Sequence, residues 1–293
     1  MGVRWKTLYE VDCTVVSYNS ASDLPRCIES LQKASGARVN ITVVDNASSD
    51  DSAATAERLG VTVVRNRDNR GFAAAVNQGA RNGTAPWVLV FNPDAVLPRD
   101  GLTRLIDTAR SQDRVGCVGP RVVGEDGAEY PSGRRFPNLT DAAVHAVLGK
   151  AIPNNFATRR YHARDVDRTR TVAVDWVSGC CMLIPRTVWE ELGGLDEAYF
   201  MYIEDMDFSL RARKIGYATL YEPAVSVMHL GGRSSRSRRI RSIYHHHVGA
   251  LRFQWRLGAG TPRVLAFPLA AAFLLLRFAA LTALSAVRGF GKR

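Results

Sequence analysis

A chain of 293 residues with 46% hydrophobic and 23% charged side chains can bury a full-sized core, which excludes disordered and fibrous classes and allows one large domain or two small ones. Its net charge of +11 is unevenly placed: residues 223–293 hold 12 Lys and Arg and no acid, leaving 27 basic against 28 acidic side chains in residues 1–222, a net of −1. The basicity therefore sits in the last quarter and points to a polyanionic partner, either a nucleic acid or an anionic membrane surface.

In chain order, MGVRWKTLYEVD lacks the apolar core of a signal peptide. Continuous β-branched runs then predict buried strands at Val11–Ser17, Ile41–Asp45, Val61–Arg65 and Trp87–Phe91. Helical patterns fall between and after them, at Leu24–Ala34, Ser52–Leu59, Phe72–Asn82 and Leu102–Ser111. This alternation predicts an α/β fold, a Rossmann-like and mainly parallel sheet with helices on both faces. Ligands of such sheets gather at the carboxyl ends of the strands, which here carry SYNS, DNASSDD, RNRDNRG and NPDA. A further strand is expected at Val115–Pro120, followed by a turn at GEDG. Periodicity is lost from Arg134 to about Thr171, which reads as a loop-rich, mobile insertion. VDWVSGCCMLIPR (Val174–Arg186) reads as one strand, Thr187–Leu192 and Glu204–Lys214 as helices, and YATLYEPAVSVMHLGG as two short extended runs.

The apolar company of the basic tail decides its partner. Val264–Val287 is 24 residues with one charge, Arg277, near its middle. As a helix it would be about 36 Å long, enough to cross a bilayer core of about 30 Å. A central Arg costs about 2.5–3.5 kcal/mol on insertion scales. Basic residues also flank both ends: Arg252, Arg256 and Arg263 before, Arg288, Lys292 and Arg293 after. The favoured reading is a helix lying in, or shallowly inserted into, an anionic membrane surface, ahead of a span or a core helix. A nucleic-acid tail would not need that apolar run. Five cysteines (Cys13, Cys27, Cys117, Cys180, Cys181) form no CxxC pair and no zinc spacing, and Cys180 and Cys181 read as core. The expected location is reducing, on the cytoplasmic face of the inner membrane, as a peripheral or monotopic protein.

Several residues carry chemistry with a plainer alternative beside it. Asp45 can accept from a nucleobase or ribose, or cap the next helix. NRGFAAAVNQG (Asn69–Gly79) opens a helix with small residues that allow a phosphate to approach. Asp94 in NPDA offers a hard oxygen to a divalent cation, or bonds nearby backbone in a turn. Asn92 offers an amide oxygen but no charge, and suits a hydrogen-bonding role better than that of a primary metal ligand. Trp176 can face a sugar ring or fill the core. Glu204, Asp205 and Asp207 are candidate general bases, although on a helix Asp205 and Asp207 point about 200° apart and cannot both face one substrate.

As an ordered set, VVSYNS, VVDNASSD, NRGFAAAVNQG and FNPDA resemble the donor half of family 2 inverting glycosyltransferases with the GT-A fold. GGLDEAYFMYIEDMDFSLRARKIGY (Gly193–Tyr217) is similar to their acceptor-side motif, so the resemblance covers about residues 9–232. It implies donor contacts from Ser17, Tyr18, Asn19, Asp45, Asn69, Gly71, Asn77, Asn92 and Asp94. Trp176, Ser178, Gly179 and Glu204 would shape the acceptor pocket, with Asp205 the base. It further implies Mn²⁺ or Mg²⁺ held by Asp94 and by His229, which stands 24 residues beyond Asp205. YPSGRRFPNLTDAAVHAVLG with DWVSGCCMLIPR and YFMYIEDMDFSLR looks most like bacterial rhamnosyltransferases acting on polyprenyl-diphosphate-linked acceptors, with dTDP-rhamnose as the favoured nucleotide-sugar donor. FQWR at Phe253–Arg256 is not the QxxRW of processive synthases, so transfer of a single sugar is expected. The implied division is a catalytic domain at 1–232 (nucleotide-sugar half 1–120, acceptor half 121–232) and a helical membrane-association region at 233–293. Transfer of galactofuranose, glucose or mannose, a nucleotidyltransferase, and a noncatalytic scaffold stay open, as does the oligomeric state.

Overall fold

The structure is a computed structural model that describes residues 8–137, 139–149, 151–163, 167–230 and 239–290. The expected domain limit at 232/233, the basic stretch around Arg233, and Lys292 and Arg293 lie outside the described residues.

Continuous apolar runs form the strands, the inner ones buried on both faces and the edge strand partly exposed. β1 (Tyr9–Ser17), β2 (Ala37–Asp45), β3 (Thr62–Arg65) and β4 (Trp87–Phe91) pair in parallel in the order β3-β2-β1-β4. The order reverses at β1, so the ends of β1, β2 and β4 open on a common crevice. Beyond β4 the sheet becomes mixed. β5 (Ala95–Val96) and β6 (Val115–Val123) follow in the chain, β7 (Glu129–Tyr130) hairpins onto β6, and β8 (Gly133–Arg134) leaves the sheet. β9 (Val172–Val174), β10 (Trp176–Val177), β11 (Cys181–Pro185) and β12 (Ala218–His229) complete the set. β11 inserts antiparallel between β4 and β6, β12 runs parallel to β6, and β5 closes that edge antiparallel to β12.

Two hydrophobic layers sandwich this sheet. Leu24, Ile28 and Leu31 of α1 (Leu24–Gln32) and Leu102, Leu105 and Ile106 of α4 (Gly101–Arg110) cover one face. Ala73 and Val76 of α3 (Phe72–Ala80), Trp189 of α7 (Arg186–Glu191) and Phe208 of α8 (Glu204–Lys214) cover the other. The remaining helices are α2 (Ser52–Arg58), α5 (Leu139–Leu148), α6 (Phe156–Tyr161), α9 (Arg239–Gly258) and α10 (Phe267–Phe290).

Three expectations need correction. The insertion from Arg134 is not structureless, since it contains α5 and α6. VDWVSGCCMLIPR is not one strand. The chain passes from β9 at the sheet edge to β10, which pairs with β8 in a separate ribbon, and returns to the sheet as β11. The two runs after Tyr217 are one strand, β12, irregular in register between Glu222 and Ser226, where Pro223 has no N–H to give the ladder.

The basic C-terminal region is not a loose tail. Phe253 of α9 is buried with Trp176, Tyr199, Ile203, Met206 and Leu210 in a third hydrophobic cluster. Arg256 donates to Asp207 at 2.6 Å and to Asp196 at 2.8 Å. α10 then folds back along α9, and Arg277 bonds His247 of α9 at 3.1 Å.

Candidate active site

The strand ladders explain which side chains meet. In the β5–β12 pair His229 lies opposite Ala95, one residue from Asp94, and Leu230 N–H donates to the Asp94 carbonyl. His229 Nε2 consequently stands 3.0 Å from Asp94 Oδ1 and 3.1 Å from Asn92 Nδ2. Burial works against the imidazolium, but hydrogen bonds to Asp94 and the Cys180 thiol outweigh it and raise His229 to about 10. On the neighbouring side Cys181 pairs with Phe91, and Asn92 N–H donates to the Cys180 carbonyl at 2.9 Å. Two peptides back along that turn, Gly179 N–H donates to Asp205 Oδ2 at 2.8 Å. A continuous path thus runs from His229 and Asp94 through Asn92, Cys180 and Gly179 to Asp205, joining residues far apart in the chain.

α8 begins under strain: Tyr202 and Ile203 both adopt positive φ, 71° and 74°. That turn buries Glu204, whose Oε2 has no partner, and leaves Asp205 half-buried at the surface of the site. Asp205 Oδ1 also accepts from Met206 N–H at 2.7 Å, so backbone amides fix both of its oxygens. Burial first, then the charge of Asp205, push Glu204 well above the usual carboxylate range. Burial raises Asp205 too, opposed by the Gly179 and Met206 amides and by Arg134. Asp207 points the other way, fully buried between Arg211, Arg256 and Tyr199 Oη, which removes it from the candidate bases.

The donor side holds two orphaned acceptors. Ser17 and Asp45 are register partners at the ends of β1 and β2, and Ser17 Oγ and Asp45 Oδ1 are buried without a partner, as expected of groups waiting for a ligand. Asn19, at φ 54°, accepts from Ser49 N–H and ties the β1 loop to the β2 loop, with Tyr18 between them half-exposed. Asn46, not assigned a ligand role from sequence, is 2% exposed and organises the crevice floor. Its amide donates to Asn69 Oδ1 and the Gly71 carbonyl and accepts from Asn66 and Arg70 N–H.

Two donor candidates turn out to be structural. Both ends of the Asn77 amide are spent on the loop before α8: Oδ1 accepts from Leu195 N–H at 2.9 Å, and Nδ2 donates to the Leu195 carbonyl and to Glu197. Gly71, at φ 90°, is required by the protein's own backbone, because a Cβ there would fall 2.5 Å from the Phe200 carbonyl. That carbonyl also accepts the first amide of α3, Phe72 N–H, at 2.6 Å, so this amide is spent within the protein.

A divalent cation fits this site only in part. Asp94 offers a hard oxygen and His229 a nitrogen, and a cation would take the place of the proton they share. Among the described residues, no group of three or more His, Cys, Asp and Glu side chains converges to hold a metal, so the residues present would supply two ligands. Of the expected acceptor residues, Trp176 is buried within β10 with its Nε1 donating to the Arg135 carbonyl, and Ser178 N–H donates to the Ser132 carbonyl.

Residues 12–193, well over half of the chain, match the family model for Glycosyl transferase family 2. The chain belongs to glycosyltransferase family 2. Over 227 residues the transferase is 34% identical to the N-acetylglucosaminyl-diphospho-decaprenol L-rhamnosyltransferase of Mycobacterium tuberculosis, spanning 73% of this chain and 74% of that protein. It is 28% identical over 173 residues to the rhamnosyltransferase WbbL of Escherichia coli, 58% of this chain and 62% of the relative. Among solved structures, a mannosyltransferase from Pyrobaculum calidifontis in complex with GDP-Man and Mn²⁺ matches with a TM-score of 0.59 at 21% identity, over 98% of this chain and 82% of that one. GalNAc-T7 with UDP, GalNAc and Mn²⁺ matches at 0.55 and 17% identity, over 92% and 55%. These structures establish the GT-A-like fold, and the sequence relatives place the transferase close to rhamnosyltransferases that use polyprenyl-linked acceptors.

Proposed function

We propose that the transferase moves one L-rhamnose from dTDP-rhamnose to a polyprenyl-diphosphate-linked saccharide in bacterial cell-wall or surface-polysaccharide assembly, with inversion at the anomeric carbon. The observation that carries the chemistry is Asp205, oriented by Gly179 and Met206 amides and joined through the Cys180 turn to the Asp94–His229 pair. The acceptor hydroxyl attacks the anomeric carbon, its proton passes to Asp205, and the bond to the diphosphate breaks with the electron pair leaving on the nucleotide. Ser17 and Asp45 receive the nucleoside through their unpartnered oxygens, with Tyr18 and Asn19 closing that end of the crevice and Asn92 beside His229. Held by Asp94 and His229, Mn²⁺ or Mg²⁺ would neutralise the charge that collects on the leaving diphosphate. Trp176, Ser178, Gly179 and Glu204 surround the acceptor sugar, Glu204 favouring its protonated form and so able to donate a hydrogen bond. The rhamnosyl group follows the names of the mycobacterial and Escherichia coli relatives, and the lipid-diphosphate acceptor follows that of the mycobacterial one.

The partner surface is the cytoplasmic leaflet. α10 and the turn before it expose apolar residues, Leu265 at 81%, Leu269 at 75% and Leu276 at 73% exposure, and Val264–Thr282 is long and apolar enough to cross a bilayer while few of its residues are fully buried. Arg277 is turned to His247 rather than to those residues, an arrangement suited to a helix lying in the interface with its charge facing protein. Val147, Leu148, Ile152 and Phe156, exposed at the α5–α6 tip, extend the apolar surface.

The test is a donor panel of dTDP-rhamnose, UDP-galactofuranose, UDP-glucose and GDP-mannose, each with a polyprenyl-diphosphate-GlcNAc acceptor and Mn²⁺ or EDTA. Transfer from dTDP-rhamnose alone, lost in EDTA, is expected. Transfer from another donor reassigns the sugar, persistence in EDTA removes the metal, and nucleotide transfer in place of sugar transfer overturns the reaction class.

A further inference from the structure

Arg134 is a half-buried guanidinium in an unusual setting. Arg168, Arg186, Arg211 and Arg256 are also half-buried, and each pairs with a carboxylate: Glu129, Asp12, Asp207, and Asp207 with Asp196. Arg134 forms no ion pair with any carboxylate among the described residues. Its guanidinium instead sits within 4.9 Å of the ring centres of Tyr130 and Trp176 and 5.5 Å from that of Tyr161. Nε donates to the Pro131 carbonyl, and one terminal nitrogen reaches Tyr161 Oη at 3.3 Å. Three rings hold the cation by their negative faces, which positions it without neutralising its charge. A partly desolvated, positioned and unpaired guanidinium is suited to an anion, above all an oxyanion that can accept two parallel N–H bonds.

The ribbon that carries Arg134 also sets where that anion would lie. Arg134 is the register partner of Trp176, and the next bond along the ribbon joins Ser132 to Ser178, beside Gly179 and Asp205. Arg134 therefore stands on the acceptor side of the base, opposite the crevice of Ser17 and Asp45. Behind it, the His145 ring packs on Tyr161 at 5.0 Å, and burial, then the charges of Arg134 and Arg277, hold the His145 pKa below its usual value. Arg134 is thus flanked by the α5–α6 tip and α10, both of which expose apolar side chains. A molecule with a lipid tail, a diphosphate and a sugar in that order would meet this face in the same sequence: apolar edge, guanidinium, carboxylate.

We propose that Arg134, caged by Tyr130, Tyr161 and Trp176, is the subsite for the diphosphate of the lipid-linked acceptor and sets the acceptor sugar's hydroxyl at Asp205. The proposal rests on the acceptor class argued above and adds the residue that reads its charge. Arg134 is a binding and positioning residue, with no proton to exchange in the reaction.

The test compares two acceptors, farnesyl-diphosphate-GlcNAc and the uncharged octyl β-glycoside of GlcNAc, with the full-length wild type, Arg134→Lys and Arg134→Met. The wild type is expected to favour the diphosphate acceptor in kcat/KM. Arg134→Met should lower that preference tenfold or more, chiefly through KM for the diphosphate acceptor, and Arg134→Lys should restore part of it. Any change in the basicity of Asp205 or in ribbon packing strikes both acceptors alike, so equal losses on both, or no loss, would overturn the subsite. An unchanged thermal midpoint and donor affinity establish that the variants fold. If neither glycolipid accepts sugar from any donor while nucleotide still binds, the acceptor class itself fails and the subsite with it. If both accept sugar and Arg134→Met does not alter their ratio, only the subsite fails.

Discussion

Glu204 and Asp205 are adjacent carboxyls that the turn at Tyr202 and Ile203 sends into different surroundings. Asp205 has two amide donors and an open side, so Asp205→Asn should lower kcat by 10²-fold or more while the donor dissociation constant changes little, a split readable by steady-state kinetics beside calorimetry. Because its folded pKa is raised, the active form is lost as pH falls through a value above the ordinary Asp range; the acid limb of kcat should lie there and flatten in the variant. Glu204 has an orphaned oxygen and a still stronger upward shift. Its unfolded form ionises before the folded one, so it costs no stability below the unfolded pKa and increasingly more as pH rises above it. Glu204→Gln should therefore raise the thermal midpoint at pH 8, lose that advantage near pH 4, and reduce transfer at both. Residues of this kind were legible in the sequence only as types. An Asp-rich helix start announces acids, but the burial of Asp207 and the satisfaction of Asn77 by Leu195 depend on partners over a wide span of chain. Arg134 was invisible for the same reason, since its three rings come from three separate segments.

Among elements, the junction of α8 and α9 decides how the helix that carries Asp205 is held. Asp207 is fully buried and accepts from Arg211 on its own helix and from Arg256 on α9. Arg256→Met, which keeps most of the stem, should cost about 1–3 kcal/mol in denaturant unfolding, and Arg211 limits the loss by remaining on Asp207. Combined with Asp207→Asn it should be strongly non-additive, because both variants break the same bond. The strands β1 to β4 and helices α1 to α4 were readable from sequence to within about two residues, except that β2 begins four residues before the expected Ile41, where exposed Arg38 and Asn40 break the apolar run. The rest held because inner strands are unbroken apolar runs and helices between them keep their period. What failed lies where context overrides pattern. β9, β10 and β11 look like one strand because apolarity does not show a chain leaving one sheet for another, and β12 looks like two because Pro223 interrupts an otherwise continuous ladder. α5 and α6 are short, and the period of so few turns is weak evidence beside neighbouring prolines and arginines.

At the scale of the whole molecule, charge and apolarity lie together at one end. Two kinds of attraction should act at the membrane, and they separate in solution. Leu269→Gln with Leu276→Gln should weaken binding to vesicles of anionic lipid by about 1.5–3 kcal/mol per leucine, seen by co-sedimentation at any salt. The electrostatic share should fall between 0.05 and 0.5 M salt, about the range over which the Debye length shortens severalfold. The apolar share should persist through that change, and equal binding by the variant and the wild type would remove α10 as the docking element.

The shared carbonyl of Phe200 extends this beyond docking. It accepts the first amide of α3 on the nucleotide side, while the Phe200 ring stacks on His245 of α9 at 4.2 Å and lies under the Arg241 guanidinium. Opening amides of helices ordinarily face water and trade their hydrogens within seconds. Phe72 is sealed beneath a residue that α9 holds down, so its deuterium uptake becomes a clock for the seating of the C-terminal helices. Slow uptake on vesicles and faster uptake in detergent-free solution would mean that the lipid surface tightens the donor crevice from about a helix diameter away, with no side chain moving between the two.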